Sequence, residues 1–149
     1  MFDKAFHTYM ERWQYKHPYP WDMWNTFEDV SGQDLDWFWR SWYYETWTLD
    51  HAVESVSTVG GSGSSSGAIR TEILVKDLGN VIMPVDLEIT YADGSTTTTR
   101  ISHEIWLSGV RSTTVSVSSA QPVVRVAIDP GFGVPDVDGS NNFWEAEGE

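Results

Sequence analysis

The chain of 149 residues has the length of one ordinary domain or of two very small ones. Its formal net charge is -13, and both halves share the negative charge, so nucleic acid and anionic membrane surfaces are poor partners. Cysteine is absent, which excludes disulfides, thiolate nucleophiles and cysteine-ligated zinc. No apolar run approaches the roughly 20 residues of a transmembrane helix, so no membrane span is predicted.

Two regions of different composition meet at the run "VGGSGSSSG", residues 59–67. Residues 1–58 hold seven of the nine tryptophans, whereas residues 68–130 alternate Val, Ile and Thr with polar side chains. We therefore predict an α+β fold in which a segment of about three aromatic-rich helices, 1–58, precedes an antiparallel β-sandwich, 68–130. A flexible Gly/Ser connector over 59–67 joins them, and an acidic, turn-rich tail follows over 131–149.

The first predicted helix carries apolar side chains at intervals of three and four residues, which places them on one buried stripe. The segment "HPYP" at 17–20 ends this helix, because each proline moves the residue before it out of the α region. The stripe consists of Phe6, Tyr9, Met10 and Trp13.

Pro20 suits the first turn of a second helix, and Gly32 ends it because glycine readily adopts the left-handed conformation. Trp24, Phe27 and Val30 share one face of this helix. A third helix follows with large aromatics on more than one face, so we expect it to lie wedged between layers of protein. Its stripe is Leu35, Phe38, Trp39 and Trp42, and Trp37 and Tyr44 lie off the stripe.

The second region has the two-residue period of half-buried strands. "ADGS" at 92–95 predicts a type I′ hairpin, which needs positive φ at both central residues. Strands are also predicted around 115–117 and 124–128, and turns every eight to twelve residues are typical of a sandwich. The inward positions before the hairpin are Ile69, Thr71, Ile73 and Val75, and then Val85, Leu87, Ile89 and Tyr91.

Two short motifs resemble catalytic signatures without meeting their requirements. "HEIWL" from His103 begins like a zinc-protease helix, but Leu107 stands where the second histidine is needed, and we interpret His103 as a strand residue. "GSSSG" places Ser65 in a nucleophile-elbow pattern, but the serine lies in low-complexity sequence before a predicted strand. Neither motif predicts a site.

The tail offers a further candidate, a calcium loop. Asp136, Asp138, Gly139 and Glu145 fall at loop positions three, five, six and twelve, but Val134 stands at position one, where Asp is usual. A surface segment with local side-chain hydrogen bonds is the favoured interpretation, and calcium binding is the alternative. The four histidines, His7, His17, His51 and His103, are scattered, and no catalytic, cofactor-binding or metal-binding residue is predicted in this chain.

The tryptophans allow three interpretations: they line a ligand groove, they cover another domain, or they fill an incomplete core. Sugar-binding platforms on a sandwich would place the rings on strands, yet the predicted sandwich carries only Tyr91 and Trp106. The rings lie at helical core spacing, which favours core or interdomain packing.

Several segments resemble one known family. "W-x-x-KHP-x-P-x-D…E-x-x-SG-x-DL-x-WFW-x-x-W", Trp13 to Trp42, resembles the end of the catalytic domain in the aminopeptidase N family of zinc metallopeptidases. "DLGNVIMPVDLEITYADGS" and "VVRVAIDPGFGVPDVDGSNN" are similar to that family's following β-sandwich. The resemblance covers nearly the whole chain.

In that family the zinc ligands, the glutamate base, the amine-binding glutamates and the transition-state tyrosine belong to motifs that precede this region. None has a counterpart here, so the resemblance implies a non-catalytic C-terminal portion with a structural, domain-packing role and no cofactor of its own. The parent protein would bind zinc and remove N-terminal residues from peptides. Expected partners are the remainder of the peptidase or another copy, through the aromatic helices. The alternative is a stand-alone β-sandwich module that binds carbohydrate or protein.

Overall fold

The computed structural model of the protein describes residues 1–59 and 68–146. The chain divides into two compact units, Met1–Thr46 and Trp47–Glu149. The predicted α+β class is confirmed, since helices near the N-terminus precede two antiparallel sheets. Most of the predicted Gly/Ser connector, including Ser65, lies outside the described residues.

The helical unit contains α1 (Phe2–Trp13), α2 (Pro20–Ser31) and α3 (Asp36–Trp39), which continues into a π turn (Arg40–Tyr44). No helix within residues 1–59 and 68–146 combines the length and apolar character needed to cross a bilayer.

Both predicted ends of α2 are confirmed. Pro20 is its first residue, and the backbone N–H of Tyr19 donates to Asp22 Oδ2 over 2.7 Å. Gly32 follows the helix with φ of 68°, and its N–H donates to the carbonyl of Glu28. A residue with a β-carbon is strained at this backbone angle, so glycine sets the stop.

The β unit has two sheets of antiparallel strands. The three-stranded sheet has the order β1-β2-β5 and contains β1 (His51–Val59), β2 (Ile69–Asp77) and β5 (Ser112–Ser119). The four-stranded sheet has the order β4-β3-β6-β7 and contains β3 (Val85–Tyr91), β4 (Thr96–Ile101), β6 (Val123–Ile128) and β7 (Phe143–Glu145). A short helix, α4 (His103–Leu107), links β4 to β5.

The core of the sandwich lies between the sheets and follows the predicted alternation. In β2 the buried positions are Thr71, Ile73, Val75 and Asp77, and in β3 every second residue from Val85 is buried. The apolar members of this set, Ile73, Val75 and the buried residues of β3, join Val126 and Ile128 of β6 in one apolar cluster. Burial of each such side chain stabilises the fold by about 1.5–3 kcal/mol.

The predicted boundaries of the sandwich are too narrow. Residues 51–58, placed in the helical segment, and Val59, placed in the connector, form β1, which pairs antiparallel with β2 from His51 opposite Asp77 to Val59 opposite Arg70. Residues 143–145, placed in the turn-rich tail, form β7 beside β6. In both cases the segment is a strand because its backbone pairs with a neighbouring strand, and the local sequence does not predict that pairing.

Two local predictions in the β unit are wrong in detail. The β3–β4 hairpin is present, but of its central residues only Gly94 has positive φ, at 81°. The N–H of Gly94 donates to Tyr91 and that of Tyr91 to Ser95, as in a three-residue loop with a left-handed glycine. The segment from His103 is a helix, not a strand, because Ser102 Oγ caps it by accepting the N–H of Glu104.

Candidate functional site

The centre of the helical unit is an aromatic core. Trp24 and Phe27 of α2 and Trp39 of α3 are buried, and Ala5 is the buried residue of α1. The Trp24 and Trp39 rings stack 5.8 Å apart at 19°, and Phe27 meets Trp39 edge to face at 5.8 Å. The predicted inward face of α2 is therefore confirmed. Partly buried neighbours complete the cluster: Met23, Val30, Leu35 and Phe38.

The π turn places further rings on this core. Tyr43 and Tyr44 are adjacent in sequence, yet their rings lie 5.7 and 5.0 Å from that of Trp24. The wider π winding lets two successive side chains reach one ring, and such turns are frequent at functional sites. Both tyrosines keep more than half of their surface exposed.

The predicted buried stripe of α1 is wrong. Phe6 is 41% exposed and Met10 is 48% exposed, while Tyr9 and Trp13 are only partly buried. The helix turns Ala5 towards the core. The other elements of the unit, α2, α3 and the π turn, form no second layer that would cover the remaining side chains of the stripe. The α1 stripe is therefore an apolar surface, and Phe2 extends it by stacking on Phe6 at 6.0 Å.

An apolar groove of about 360 Å³ opens beside this stripe. Its walls contain aliphatic and aromatic side chains from α1, α2, α3 and the π turn: Phe2, Met23, Phe27, Leu35, Phe38 and Tyr43. Trp37 and Trp39 also contribute to it. Since Phe2 belongs to both features, the stripe and the groove are continuous.

An aromatic cleft of about 630 Å³ forms a second opening, between α2 and the segment from α3 to the π turn. Its rings are Trp21, Trp24, Trp37, Trp39 and Tyr44. Its polar residues are Asn25, Asp36 and Arg40. Trp21 is 50% exposed and Tyr44 is 63% exposed, so these two rings are not core of the helical unit.

Neighbouring groups hold the cleft side chains in place. Trp21 stacks on Tyr19 with centroids 4.6 Å apart and planes at 9°, and Tyr44 meets Trp24 edge to face at 74°. Arg40 Nε lies 3.2 Å from Glu45 Oε1. The cleft thus combines braced aromatic faces with an amide, a carboxylate and a guanidinium.

The β unit contains a buried polar cluster at the start of β1. His51 and Asp77 are 2% and 3% exposed, and His51 Nε2 lies 3.9 Å from Asp77 Oδ1. Arg111 Nη1 lies 2.8 Å from Asp77 Oδ2, and the Arg111 side chain is about half exposed. The ring of Trp106 lies 5.6 Å from that of His51.

Burial shifts both acid–base groups away from their charged forms. It lowers the pKa of His51 to about 4, although the carboxylates of Asp136 and Asp50 act in the opposite direction. It raises the pKa of Asp77 to about 6, against the guanidinium of Arg111. In folded protein the two side chains are therefore both uncharged between pH of about 4 and 6.

The sequence alone does not reveal this pair. His51 and Asp77 are Cα partners in the antiparallel β1–β2 register, so they meet only once residues 51–59 are known to be a strand. Both side chains are almost completely buried, so they are not accessible to a substrate, and we assign them a structural role.

The candidate residues for zinc do not fit a zinc site. His103 begins α4 and is half-buried, and Leu107, which is 45% exposed, occupies the position of the second histidine. Among the described side chains, the one close grouping of three or more His, Asp or Glu contains no histidine. It consists of Glu28, Asp34 and Asp36. Glu28 and Asp34 accept backbone N–H groups of Leu35 and Asp36, which accounts for their placement.

The candidate calcium-loop acids are not brought together. Asp136 accepts the N–H of His51 through Oδ2 and that of Asp138 through Oδ1. Asp138 accepts both the N–H and the hydroxyl of Ser140, and Glu145 Oε1 lies 3.3 Å from Arg125 Nε. The favoured interpretation of the tail, local hydrogen bonding by turn residues, describes the bonds among Asp136, Asp138 and Ser140. The bond from His51 to Asp136 and the pair of Glu145 with Arg125 instead join the tail to distant strands.

No protein-family model, curated protein or solved structure matches the chain. The likeness to the aminopeptidase N family is therefore carried by the motifs of the chain alone.

Proposed function

We propose that the chain is a non-catalytic, C-terminal portion of a zinc metallo-aminopeptidase-like protein, in which its helices pack against the remainder of that protein. The observation that carries this proposal is the uncovered apolar surface of the helical unit, formed by the α1 stripe and the apolar groove. The parent protein would bind zinc and hydrolyse N-terminal residues from peptides. The motif from Trp13 to Trp42 supports this choice of parent.

The small size of the helical unit explains why its apolar surface would need to pack against other protein. A unit of residues 1–46 is too short to enclose this many large rings, because small domains bury a small share of their surface. Contiguous apolar surfaces beyond a few hundred Å² are rare on monomeric proteins and mark contact sites. The indole N–H groups of Trp39 and Trp42 are also buried without an acceptor among residues 1–59 and 68–146, a further sign of an incomplete core.

The side chains of the "HEIWL" motif support the non-catalytic role. The aminopeptidase reaction needs a metal-bound nucleophile and a general base, and "HEIWL" supplies only one histidine with Glu104. The purified chain is expected to bind no stoichiometric zinc and to leave aminoacyl anilides intact. Stoichiometric zinc together with turnover would contradict the proposal.

The packing role is tested with the peptidase segment itself. The reading frame upstream of the Met1 codon is expected to encode HExxH with a downstream glutamate. Co-expression of that segment with this chain should yield a stable complex by size-exclusion chromatography with light scattering. Phe6→Asp combined with Met10→Asp should abolish the complex, because both carboxylates would be desolvated at the contact.

Phe132→Asp is the matched control, because Phe132 is an exposed aromatic residue in the β unit, 73% exposed. It should leave the complex intact. A complex that survives the double change on α1, or an upstream frame and neighbouring genes without a peptidase motif, would refute the proposed role.

A further inference from the structure

The aromatic cleft differs from the rest of the helical surface in its chemistry. The apolar groove presents only aliphatic and aromatic side chains, whereas the cleft sets Asn25, Asp36 and Arg40 beside its rings. Its volume of about 630 Å³ falls within the roughly 300–1,000 Å³ of small-molecule sites, which are also lined by apolar groups with a few placed polar ones. The packing role gives no reason for this polar edge.

We propose that the aromatic cleft binds a neutral oligosaccharide. A pyranose has apolar C–H faces, which pack on flat aromatic rings, and an equator of hydroxyls, which hydrogen-bond to amide, carboxylate and guanidinium groups. The cleft supplies both kinds of partner. The inference is independent of the packing role, since it concerns a different opening of the unit.

The rings are suited to stacking because they are held before a ligand arrives. Trp21 is half exposed while Tyr19 covers one of its faces at 4.6 Å. Tyr44 is exposed but is braced edge to face against buried Trp24. These ring contacts reduce the side-chain entropy that remains to be lost on binding, which is one of the costs of association.

The charges narrow the ligand class. Asp36 lies beside Glu28 and Asp34, and the whole chain carries -13, so uronate or sialylated glycans would be repelled. Arg40 in the wall opposes a quaternary ammonium ligand, which would otherwise suit a cage of aromatic rings. A purely apolar ligand would desolvate Asn25 and Asp36 without satisfying them. A neutral sugar avoids all three penalties.

The test is an NMR titration of the isotope-labelled full chain with cellohexaose, maltohexaose, chitohexaose and xylohexaose, with hexagalacturonate as the anionic comparator. At least one neutral hexasaccharide is expected to bind at millimolar concentration or below and to shift amides of residues 21–25 and 36–44. Trp21→Ala and Tyr44→Ala should each weaken that binding about tenfold or more, as truncation of an anchoring aromatic does. Asp36→Asn should weaken it by a smaller factor.

Trp13→Ala is the matched control, because Trp13 is a tryptophan of the same unit that does not line the cleft. It should leave the affinity unchanged, and circular dichroism of every variant establishes that the fold is retained. Three outcomes would overturn the inference: no neutral hexasaccharide shifts the cleft amides, the two ring variants bind as well as the unchanged chain, or hexagalacturonate binds more tightly. None of these outcomes bears on the peptidase complex, so the two proposals fail separately.

Discussion

Replacing Asp77 by Asn should make the stability of the β unit more sensitive to mild acid. His51 has a folded-state pKa of about 4, below its ordinary value of 6.5, so the unfolded chain binds a proton that the folded protein does not. Stability from this group is therefore lost as pH falls. Asp77 has a folded-state pKa of about 6, above its ordinary value of 3.8, so its folded form binds the extra proton and stability is gained as pH falls.

The magnitudes follow from these two shifts. Between pH of about 7.5 and about 5, His51 removes about 2 kcal/mol of unfolding free energy and Asp77 restores about 1.4 kcal/mol. The unchanged protein should therefore lose less than about 1 kcal/mol from this pair. Asp77→Asn removes the compensation and should lose about 2 kcal/mol over the same range. In His51→Gln only the pKa shift of Asp77 remains, so the free energy of unfolding should rise by about 1.4 kcal/mol as the pH falls over this range.

At the upper end of this range Asp77→Asn should be at least as stable as the unchanged protein. An ionised, buried carboxylate whose pKa lies about two units too high costs about 3 kcal/mol there, and the amide does not carry that cost. Arg111 loses its partner, but its side chain is about half exposed and is hydrated instead of remaining as a buried charge.

The assay is urea unfolding followed by NMR intensities of the Ile73 and Leu87 amides, which report on the sandwich core and not on the helical unit. The pH range stays above the isoelectric point of about 4.4, where solubility falls. Equal pH slopes for the unchanged protein, Asp77→Asn and His51→Gln would refute the reasoning. A loss of several kcal/mol for Asp77→Asn at the upper pH would do so too, since it would show that the charged pair stabilises the fold.

Three further outcomes are expected. Gly79→Ala should cost about 2 kcal/mol or more in urea unfolding, because its β-carbon would lie 2.2 Å from the carbonyl oxygen of Thr48, while Gly131→Ala, with open space, should be tolerated. Asp136→Ala should cost about 1–3 kcal/mol by removing the acceptor of two backbone N–H groups, and Asp138→Ala, at an exposed turn, less than about 1 kcal/mol. Calcium or a chelator should leave the melting temperature unchanged, and a rise with calcium would contradict the assignment of Asp136 to backbone bonding.

The sequence predicts well those elements whose local pattern and tertiary environment agree. Strands β2 and β3 alternate because one face of each meets the other sheet, so their buried positions could be read from the period of two. The ends of α2 could be read from Pro20 and Gly32, since their preferences are set by the backbone of the residue itself.

Elements defined by distant partners could not be predicted in this way. In β1 only His51 to Val53 are buried and most of the remaining strand is exposed, so no alternation marks it, and its pairing with β2 makes it a strand. The α4 helix is five residues long, too short for a helical period, and depends on the cap of Ser102. The buried His51–Asp77 pair could not be predicted for the same reason, because the two residues meet through the β1–β2 register.

The aromatic helices show how one short segment serves two surfaces. Residues 36–44 pass from α3 into the π turn, and each part lines both openings. Phe38 of α3 and Tyr43 of the π turn line the apolar groove, whereas Asp36 of α3 and Tyr44 of the π turn line the aromatic cleft. Trp39 forms part of both walls. A regular helix with a single apolar stripe would give one contact face. The sequence shows aromatics on several faces, but the spacing of the rings gives no signal for the π turn, in which the adjacent Tyr43 and Tyr44 line different openings.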